Sequence, residues 1–560
     1  MGRAELDLNL QRHLQAQFGA EQISCEPKEL SKFEQALFPT SRRIVAVLNP
    51  RNPNEVALML RYASAHAIRI YPISNGYNWG LGSRVPTADS CCVMDLSRMN
   101  RIRRYDPELG YLVVEPGVSF SQAAKYLEAR DSKHFLASIG GPADASIVGN
   151  ALERGDGVGP LGDRARSVVD LEVVLPDGKI IRTGYSVAED SLLASIAHSA
   201  PGPDLDGLFM QSSFGVVTAL TVWLQLIPKR FQVALARVST TENLAEALPT
   251  LRALQAQGVI KPNSLALWNR FKVAAAICPA PWLSNGGSSA KLTELSAAEK
   301  IRSLPEPWDR DNWFGVCALY SASNLHARAE RMLIKAALGA RASVVRVLRR
   351  CGSGGGILHF LNRLWSSLSS YRVDGDFGIP LRHLQQVFCE NSVALGKPTV
   401  LNLKSLYWRK PSIDHTAKNK GPHADGCGAH WLCHAIPFTG EHFVNATAIV
   451  ERIAFSSGFE PNMAVLNPCE RYLRAFIVLM YDRDAQGEDE RAMHAARTIA
   501  RELNCAGYTA YRLGIQTMDT YRPTDLGYVE VLRGLKQYFD PGGVLAPGRY
   551  DLFDELSEGG

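Results

Sequence analysis

Residues 71–83 read YPISNGYNWGLGS, a short apolar strand that runs directly into a glycine-rich loop. Gly76, Gly80 and Gly82 let the backbone approach a ligand closely, and successive peptide N–H groups in such a loop can surround an anion. The spacing matches neither GxGxxG nor GxxxxGK[ST], so neither standard nucleotide motif is present. A plain glycine turn between two strands would explain the same residues.

Two later segments have the same character as this loop. Seven glycines fall between residues 139 and 162, and residues 208–228 place Ser212, Ser213 and Gly215 ahead of an alternating strand. A planar ring that lies against the backbone needs positions without side chains. Together the three loops indicate a bound nucleotide-type cofactor.

The composition of the chain sets the broad class. A chain of 560 residues exceeds one ordinary core, and 46% hydrophobic with 21% charged residues is typical of globular proteins. The net charge of +5 without a Lys/Arg run predicts neither a nucleic-acid nor a membrane partner. The N-terminus lacks the apolar core of a signal peptide and no stretch of eighteen apolar residues occurs, so we expect a cytoplasmic protein whose eleven cysteines are reduced.

The order of the patterns predicts the domains. From about residue 44 to 228 short β-branched strands alternate with helices, whereas the middle of the chain has longer amphipathic helices such as HARAERMLIKAALGARA (326–342). The tail DPGGVLAPGRY (540–550) is typical of a segment docked on another unit. We predict an α+β fold: residues 1–230 form the N-terminal part of a cofactor-binding domain, 231–502 an inserted α+β cap domain, and 503–560 a segment that completes the site.

This order of loops, with VVEPGVSFSQAAKYL (113–127) between the first and the second, resembles the FAD domain of the vanillyl-alcohol oxidase and p-cresol methylhydroxylase (PCMH) family. The resemblance extends from about residue 35 to 550. It implies a two-domain PCMH-type fold with FAD as cofactor. The FAD contacts that it implies are Ser74, Asn75, Gly76, Tyr77, Asn78, Pro116, Gly140, Gly141, Ser146, Gly149, Asn150, Gly155, Gly159, Gly215, Val217, Arg512 and Arg549.

A covalent flavin link is also implied by the resemblance. Members with a histidyl flavin carry the linking residue in a Gly-Ala-His run followed by aromatic residues and a proline, and DGCGAHWLCHAIPF (425–438) matches this run at His430. A buried, hydrogen-bonded core histidine is the alternative, and Tyr407 lies where other members have a tyrosyl link.

The same stretch offers a second interpretation, a metal site. Cys427, His430, Cys433 and His434 form a CxxHxxCH cluster of zinc-type ligands. Structural zinc sites usually take ligand pairs from two separated segments, and the flanking residues have the alternation of a buried strand. We therefore predict no metal.

The resemblance places Tyr511 and Arg512 at the family's Tyr-Arg pair, which binds a phenolate oxygen. It implies that Arg512 also stabilises negative charge on the flavin as hydride arrives; an interdomain salt bridge is the alternative for this arginine. Asp144 is a candidate base, and Asp163 another, although capping of a loop would explain either carboxylate.

Three positions depart from the family pattern. The second phenolate-binding tyrosine falls on Leu81, a further pocket tyrosine on Val158, and the acidic residue beside flavin N5 on Gly141. The pocket is therefore expected to be roomier and more apolar, for a larger or non-phenolic substrate.

We accordingly expect an FAD-dependent oxidoreductase that takes hydride from an activated C–H bond of an alcohol, amine or alkyl-phenol type small molecule. Small residues at Gly140 and Gly141 favour access of O₂, giving H₂O₂, over a dehydrogenase with another acceptor. A homodimer is allowed for, because relatives often pair through the cap domain. A non-catalytic flavin carrier and a metal-stabilised binding protein are the alternatives from other classes.

Overall fold

The computed structural model describes residues 3–188, 190–278, 280–283, 295–339, 341–350, 376–399, 401–410 and 421–552. The α-helices of these residues are α1 (Arg3–Phe18), α2 (Pro27–Leu30), α3 (Pro53–Ala65), α4 (Phe120–Glu128), α5 (Ile147–Leu152), α6 (Thr241–Ala256), α7 (Arg270–Ile277), α8 (Ala297–Arg302), α9 (Asn324–Leu338), α10 (Leu381–Gln385), α11 (Gly440–Ser456), α12 (Glu488–Cys505) and α13 (Leu526–Phe539).

The strands form four sheets within the described residues. They are β1 (Ile23–Ser24), β2 (Ile44–Leu48), β3 (Ile70–Ile73), β4 (Cys91–Asp95), β5 (Ile102–Asp106), β6 (Tyr111–Val114), β7 (His134–Phe135), β8 (Val168–Val174), β9 (Ile180–Arg182), β10 (Val216–Trp223), β11 (Gln225–Leu226), β12 (Arg230–Val238), β13 (Leu265–Asn269), β14 (Trp313–Ser321), β15 (Val344–Arg349), β16 (Cys427–Pro437), β17 (Asn462–Leu466), β18 (Tyr472–Asp482) and β19 (Ala510–Arg512). This mixture of helices and sheets confirms the α+β prediction.

The N-terminal unit contains two larger sheets and one strand pair. In the order β1-β2-β4-β3, strands β2, β4 and β3 are parallel, which requires helical crossovers such as α3. Helix α3 begins with two favourable start signals: Asn52 accepts a hydrogen bond from the Glu55 N–H, and Pro53 occupies the first turn. The second sheet, β5-β6-β10-β8-β9, is antiparallel, and β11 pairs with β7.

An antiparallel sheet of eight strands, in the order β15-β12-β14-β13-β17-β18-β16-β19, forms the second unit. One face is covered by helices α6, α9, α11 and α12, whose buried residues include Ala247, Ile334, Ala446 and Ala496. Because side chains alternate along a strand, the other set of side chains is presented to the opposite face. That opposite face adjoins the N-terminal unit.

The tail returns to the N-terminal unit, as the loop chemistry at 540–550 predicts. Ile70 of β3 donates its N–H to the Val544 carbonyl at 2.8 Å and accepts from the Ala546 N–H at 2.7 Å. The Lys536 ammonium donates to the Leu545 carbonyl at 2.8 Å. The predicted boundary at residue 502 falls inside α12, and β19 still pairs with β16, so this return follows β19.

No helix of the described ranges combines the length and the apolar composition that a bilayer-spanning segment needs.

A buried network of ion pairs stabilises the second unit. Glu460 lies 2.9 Å from both Arg409 and Lys300, and Arg409 lies 3.0 Å from Glu488; all four side chains are at most 2% exposed. Burial alone would raise the pKa of Glu460, but the Arg409 guanidinium and the Lys300 ammonium lower it to about 2. The carboxylate is therefore charged and paired at neutral pH.

Glu460→Gln leaves two buried cations short of a partner, so it should lower the free energy of unfolding by about 3–5 kcal/mol in urea titrations at neutral pH. Because the folded pKa is depressed, this contribution is present above the ordinary pKa of about 4.5 and is lost as pH falls towards 2. The matched control is Glu246→Gln, whose exposed side chain should cost less than about 0.5 kcal/mol. Equal effects of the two changes would contradict the role of the network.

Candidate active site

A cavity of about 430 Å³ lies between the N-terminal unit and the open face of the eight-stranded sheet. Its walls include all three loops singled out in the sequence and the tail residues Leu545, Ala546 and Arg549. The prediction that these segments meet thus agrees with their placement.

The loop after β3 forms one end of the cavity. The peptide N–H groups of Asn75, Gly76 and Tyr77 donate no hydrogen bond to any residue that the structure describes. Gly76 has a φ of +70°, a left-handed conformation that an L side chain rarely adopts. Unpaired donors next to such a residue make an anion-binding concavity, so the loop fits the diphosphate of a dinucleotide.

The second loop packs directly against the first. Ser146 caps α5 by accepting from the Gly149 N–H at 2.9 Å and donates to the Pro116 carbonyl at 2.5 Å. A Cβ atom at Gly149 would lie 3.2 Å from the Ser74 hydroxyl. The absence of a side chain at Gly149 therefore keeps this part of the wall open to a ligand.

Fourteen of the predicted contact residues line the cavity: Ser74, Asn75, Gly76, Tyr77, Asn78, Gly140, Gly141, Ser146, Gly149, Asn150, Gly215, Val217, Arg512 and Arg549. The three departures from the family pattern, Leu81, Gly141 and Val158, also lie on its wall. At these three positions the cavity wall therefore carries neither a tyrosine hydroxyl nor a carboxylate.

The open face of the sheet supplies the other end through one row of side chains. In the strand register Arg512 is opposite Cys433, Cys433 opposite Phe476, Phe476 opposite Ala464, and Ala464 opposite Trp268. Directly opposed residues of antiparallel strands point to the same face, and all five line the cavity. The register thus fixes Arg512 at one end of this row and Trp268 at the other.

Arg512 is held at the junction of the two ends. Its Nη2 donates to the Asn78 side-chain oxygen at 2.9 Å, and its Nε lies 3.6 Å from Glu153 without a hydrogen-bond partner among the described residues. Glu153 also pairs with Arg549 and accepts from the Tyr550 hydroxyl at 3.1 Å. One carboxylate is therefore shared by two guanidinium groups, which leaves a local excess of positive charge.

Tyr511 does not line the cavity, in contrast to the predicted substrate contact. Its hydroxyl donates to Asp156 at 3.2 Å, and the Arg474 guanidinium lies over its ring at 4.7 Å. Arg474 also pairs with Asp156 at 2.6 Å and with Asp163 at 3.3 Å. Burial raises the pKa of Tyr511 well above its ordinary value, so it remains a neutral donor that positions the Asp156 carboxylate.

His430 lies on the wrong face of its strand for a flavin link. The side chains of β16 that face the cavity are those of Trp431 and Cys433, so the period of two turns His430 away. Its ring stacks between Phe38 and Tyr481, at centroid distances of 5.1 and 5.5 Å. Neither ring nitrogen has a partner among the described residues, and burial lowers the pKa of His430 to about 3. The predicted bond to His430 therefore has no geometric support.

Trp431 takes the place that faces the cavity and packs against the first loop. A Cβ atom at Gly80 would lie 2.7 Å from Trp431 Cγ, so only glycine allows this approach. Tyr407, the alternative link, is buried, does not line the cavity, and donates its hydroxyl to Asp425 at 2.7 Å.

Asp144 does not reach the cavity either. It is exposed in the turn between Pro142 and Ala145, and its backbone carbonyl accepts from the Asn75 side chain at 3.0 Å. The loop role therefore replaces the predicted role as a base, because the carboxylate lies outside the wall. Asp163 is committed to Arg474.

Three further predicted contacts support the wall from behind. Pro116 accepts from Ser146; a Cβ atom at Gly155 would clash with the Asn150 side chain at 2.1 Å; and Gly159, with a φ of +125°, donates to the Asn263 carbonyl at 2.9 Å. None of the three lines the cavity. These three residues shape the loops behind the cavity wall.

The Cys/His cluster does not converge. Cys433 faces the cavity, whereas His434 lies on the opposite face and contacts the Tyr508 carbonyl at 2.7 Å through Nδ1. Across the described residues, no three His, Cys, Asp or Glu side chains come together as a metal site would require.

Sequence reasoning missed Glu153, Asp156 and Lys272, which all line the cavity. Glu153 and Asp156 are recognisable as parts of the site only from their ion pairs with arginines that lie hundreds of residues away in the sequence. Lys272, the third residue of α7, has no such partner within the described ranges, and burial lowers its pKa to about 8. A basic residue within the apolar run RFKVAAAI (270–277) was the available signal.

Comparisons with known proteins agree with this geometry. Residues 44–184 match the model of an FAD binding domain. The chain is 35% identical over 539 residues to 1'-carboxy-chondrochloren decarboxylase of Chondromyces crocatus, covering 96% of both chains. It is 25% identical over 545 residues to the flavoprotein subunit of 4-cresol dehydrogenase [hydroxylating] of Pseudomonas putida, covering 95% of this chain and 93% of the relative. The structure of 4-ethylphenol oxidase from Gulosibacter chungangensis in its isoeugenol complex superimposes with a TM-score of 0.81 at 20% identity, covering 99% and 98% of the two chains.

His430→Phe should leave the flavin content unchanged, because residue 430 faces away from the cavity and phenylalanine preserves the ring stack. Gly149→Val should lower the flavin content at least about tenfold at limiting FAD, because its side chain enters the wall. The ratio of flavin to protein absorbance measures both. Loss of flavin from the His430 variant alone would contradict the placement of this residue.

Proposed function

This chain belongs to the vanillyl-alcohol oxidase and p-cresol methylhydroxylase family of FAD-dependent enzymes, and from that premise we propose that it removes a hydride from an activated C–H bond of a small organic substrate in the cavity. The observation that carries the proposal is the joint wall: unpaired loop N–H groups at one end and Arg512 with the sheet face at the other. Bound FAD would supply the hydride acceptor.

The residues present fit FAD. Asn75, Gly76 and Tyr77 offer donors for the diphosphate, while Gly140 and Gly141 leave room for a flat ring. His430 faces away from this space, so we propose that FAD is held without a bond to that residue.

Arg512 has the central chemical role in this proposal. Its guanidinium stays charged at all relevant pH values, and Asn78 orients it towards the cavity. The guanidinium can donate to an oxygen on which negative charge develops, either on the flavin edge or on the substrate. Glu153 limits the net charge and fixes the position of the group without neutralising it, because the same carboxylate pairs with Arg549.

The described wall of the cavity provides no proton acceptor next to the reacting carbon. Gly141 stands where the family has an acid, and Asp144 lies outside. The wall carboxylates Glu153 and Asp156 are both committed to arginines. A substrate that carries its own anion avoids the need for a base.

Oxidative decarboxylation is therefore a second candidate, favoured by the missing base and by the 35% identical relative named as a decarboxylase. Loss of hydride from one carbon would leave it short of two electrons. The bond between the neighbouring carbon and its carboxylate then breaks, CO₂ departs, and the electron pair of that bond forms a C=C bond. The substrate loses two electrons in total and no base is consumed.

We further propose O₂ as the acceptor that reoxidises the flavin, giving H₂O₂. The small residues Gly140 and Gly141 on the cavity wall support access of O₂. One similar protein is named an oxidase and another a dehydrogenase, so the rate of reoxidation in air decides between them.

Anaerobic mixing with a panel of benzylic alcohols, alkyl phenols, amines and their carboxylated analogues should bleach the flavin absorbance for at least one class. Readmission of air should then restore the colour within seconds and produce one H₂O₂ per turnover. CO₂ equal to the H₂O₂ formed identifies oxidative decarboxylation, whereas its absence leaves simple oxidation. A flavin that is reduced by dithionite but by no organic compound would indicate a carrier without catalysis.

Arg512→Met should reduce kcat by about 10²–10³, and Arg512→Lys should recover part of that loss, because a cation at this position stabilises developing charge. Stopped-flow flavin reduction measures the effect. Arg471→Met is the matched control, since its side chain is 81% exposed. A normal reduction rate in the Arg512→Met variant would show that the charge is not used.

A further inference from the structure

Lys272 is a cation on the cavity wall without an acidic partner in the part of the chain that the structure describes. It follows β13 as the third residue of α7, four positions after Trp268. Arg512 and Arg549 share Glu153, and Asp156 is paired with Arg474. Within the described residues Lys272 takes part in no ion pair and no side-chain hydrogen bond.

The surroundings of Lys272 do not compensate its charge. Other side chains of the same cavity wall include Trp268, Phe388 and Val478, which are apolar. Burial is the cause that lowers the pKa of Lys272 to about 8, with no contribution from the wall groups Glu153, Asp156, Cys433, Arg512, Arg549, Tyr71 or Tyr77. At neutral pH roughly nine in ten molecules therefore keep the ammonium charged in a place that disfavours it.

The sheet register separates Trp268, four residues before Lys272, from Arg512. Trp268 and Arg512 end the same row, four strand spacings apart, which places their backbones about 19 Å from each other. Lys272 and Arg512 both line the cavity. One substrate molecule can therefore be held at opposite ends, with its oxidised carbon in between.

We propose that Lys272 binds a carboxylate of the substrate, at the end remote from Arg512. A carboxylate supplies the missing counter-charge, and a charge-assisted hydrogen bond in an apolar cavity is stronger than a neutral one. The inference rests on the proposed function, because it defines the substrate class of the same cavity: an aromatic or similarly activated molecule that carries a carboxylate.

The test compares 3-(4-hydroxyphenyl)propanoate with its methyl ester as probes of the FAD-loaded protein. Isothermal titration calorimetry of the dithionite-reduced protein without O₂, supported by quenching of tryptophan fluorescence from Trp268 and Trp431, measures binding without turnover, because a reduced flavin accepts no hydride. The wild-type protein should bind the carboxylate at least about tenfold more tightly than the ester. Lys272→Met should abolish this preference, Lys272→Arg should retain it, and the exposed Lys335→Met should leave it unchanged.

The pH dependence gives a second readout that needs no variant. Only the ammonium form binds the carboxylate, so affinity should be level below the pKa of about 8 and should fall as pH rises through it, by up to tenfold per unit. The ester should show no such decline, and neither should the carboxylate with Lys272→Arg, whose guanidinium stays charged.

Equal affinity for the carboxylate and the ester in the wild-type protein would overturn the inference, as would a preference that survives Lys272→Met. The outcome is separate from that of the proposed function, because binding is measured without turnover. A flavin that no substrate reduces, together with an intact Lys272-dependent preference, would count against catalysis only.

Discussion

The alternation of side chains across the eight-stranded sheet is the constraint on which the rest of the site depends. Along β13, β14, β16, β17 and β18 the residues that line the cavity are two positions apart, and the antiparallel register aligns five of the lining residues, from Arg512 to Trp268, in one row. A slip of one residue in β16 would exchange Trp431 and Cys433 for His430 and Leu432. The identity of the cavity wall therefore follows from pairing between backbones as much as from the residues themselves.

The charged side chains around the cavity fall into two groups. Where the two units meet, Glu153 and Asp156 of the N-terminal unit bind Arg512, Arg549 and Arg474, so most charges there are compensated. Lys272 has no counter-charge among the residues that the structure describes. Because a charge without a partner in an apolar cavity is costly, a cation at such a place favours a ligand of opposite sign.

The sequence predicted the fold class, and the glycine-rich loops that it singled out line the cavity, because such loops after short strands depend on local chemistry. It placed His430 at the flavin, whereas the side chain faces away from the cavity. A matching sequence motif does not show to which face of a strand each side chain points. It also assigned Asp144 as a base, although a carboxylate three residues from a glycine pair points into solvent here. Glu153 and Lys272 were missed for another reason. The arginines that pair with Glu153 are distant in sequence, and that Lys272 lacks a partner among the described residues is visible only in the folded chain.

The most direct measurement is a crystal structure of the protein loaded with FAD. The account predicts density for the diphosphate against the N–H groups of residues 75–77, the flavin ring beside Gly141 within reach of Arg512, and no bond between the flavin and His430. A flavin bound elsewhere, or a cavity that remains closed to FAD when the cofactor is abundant, would contradict it.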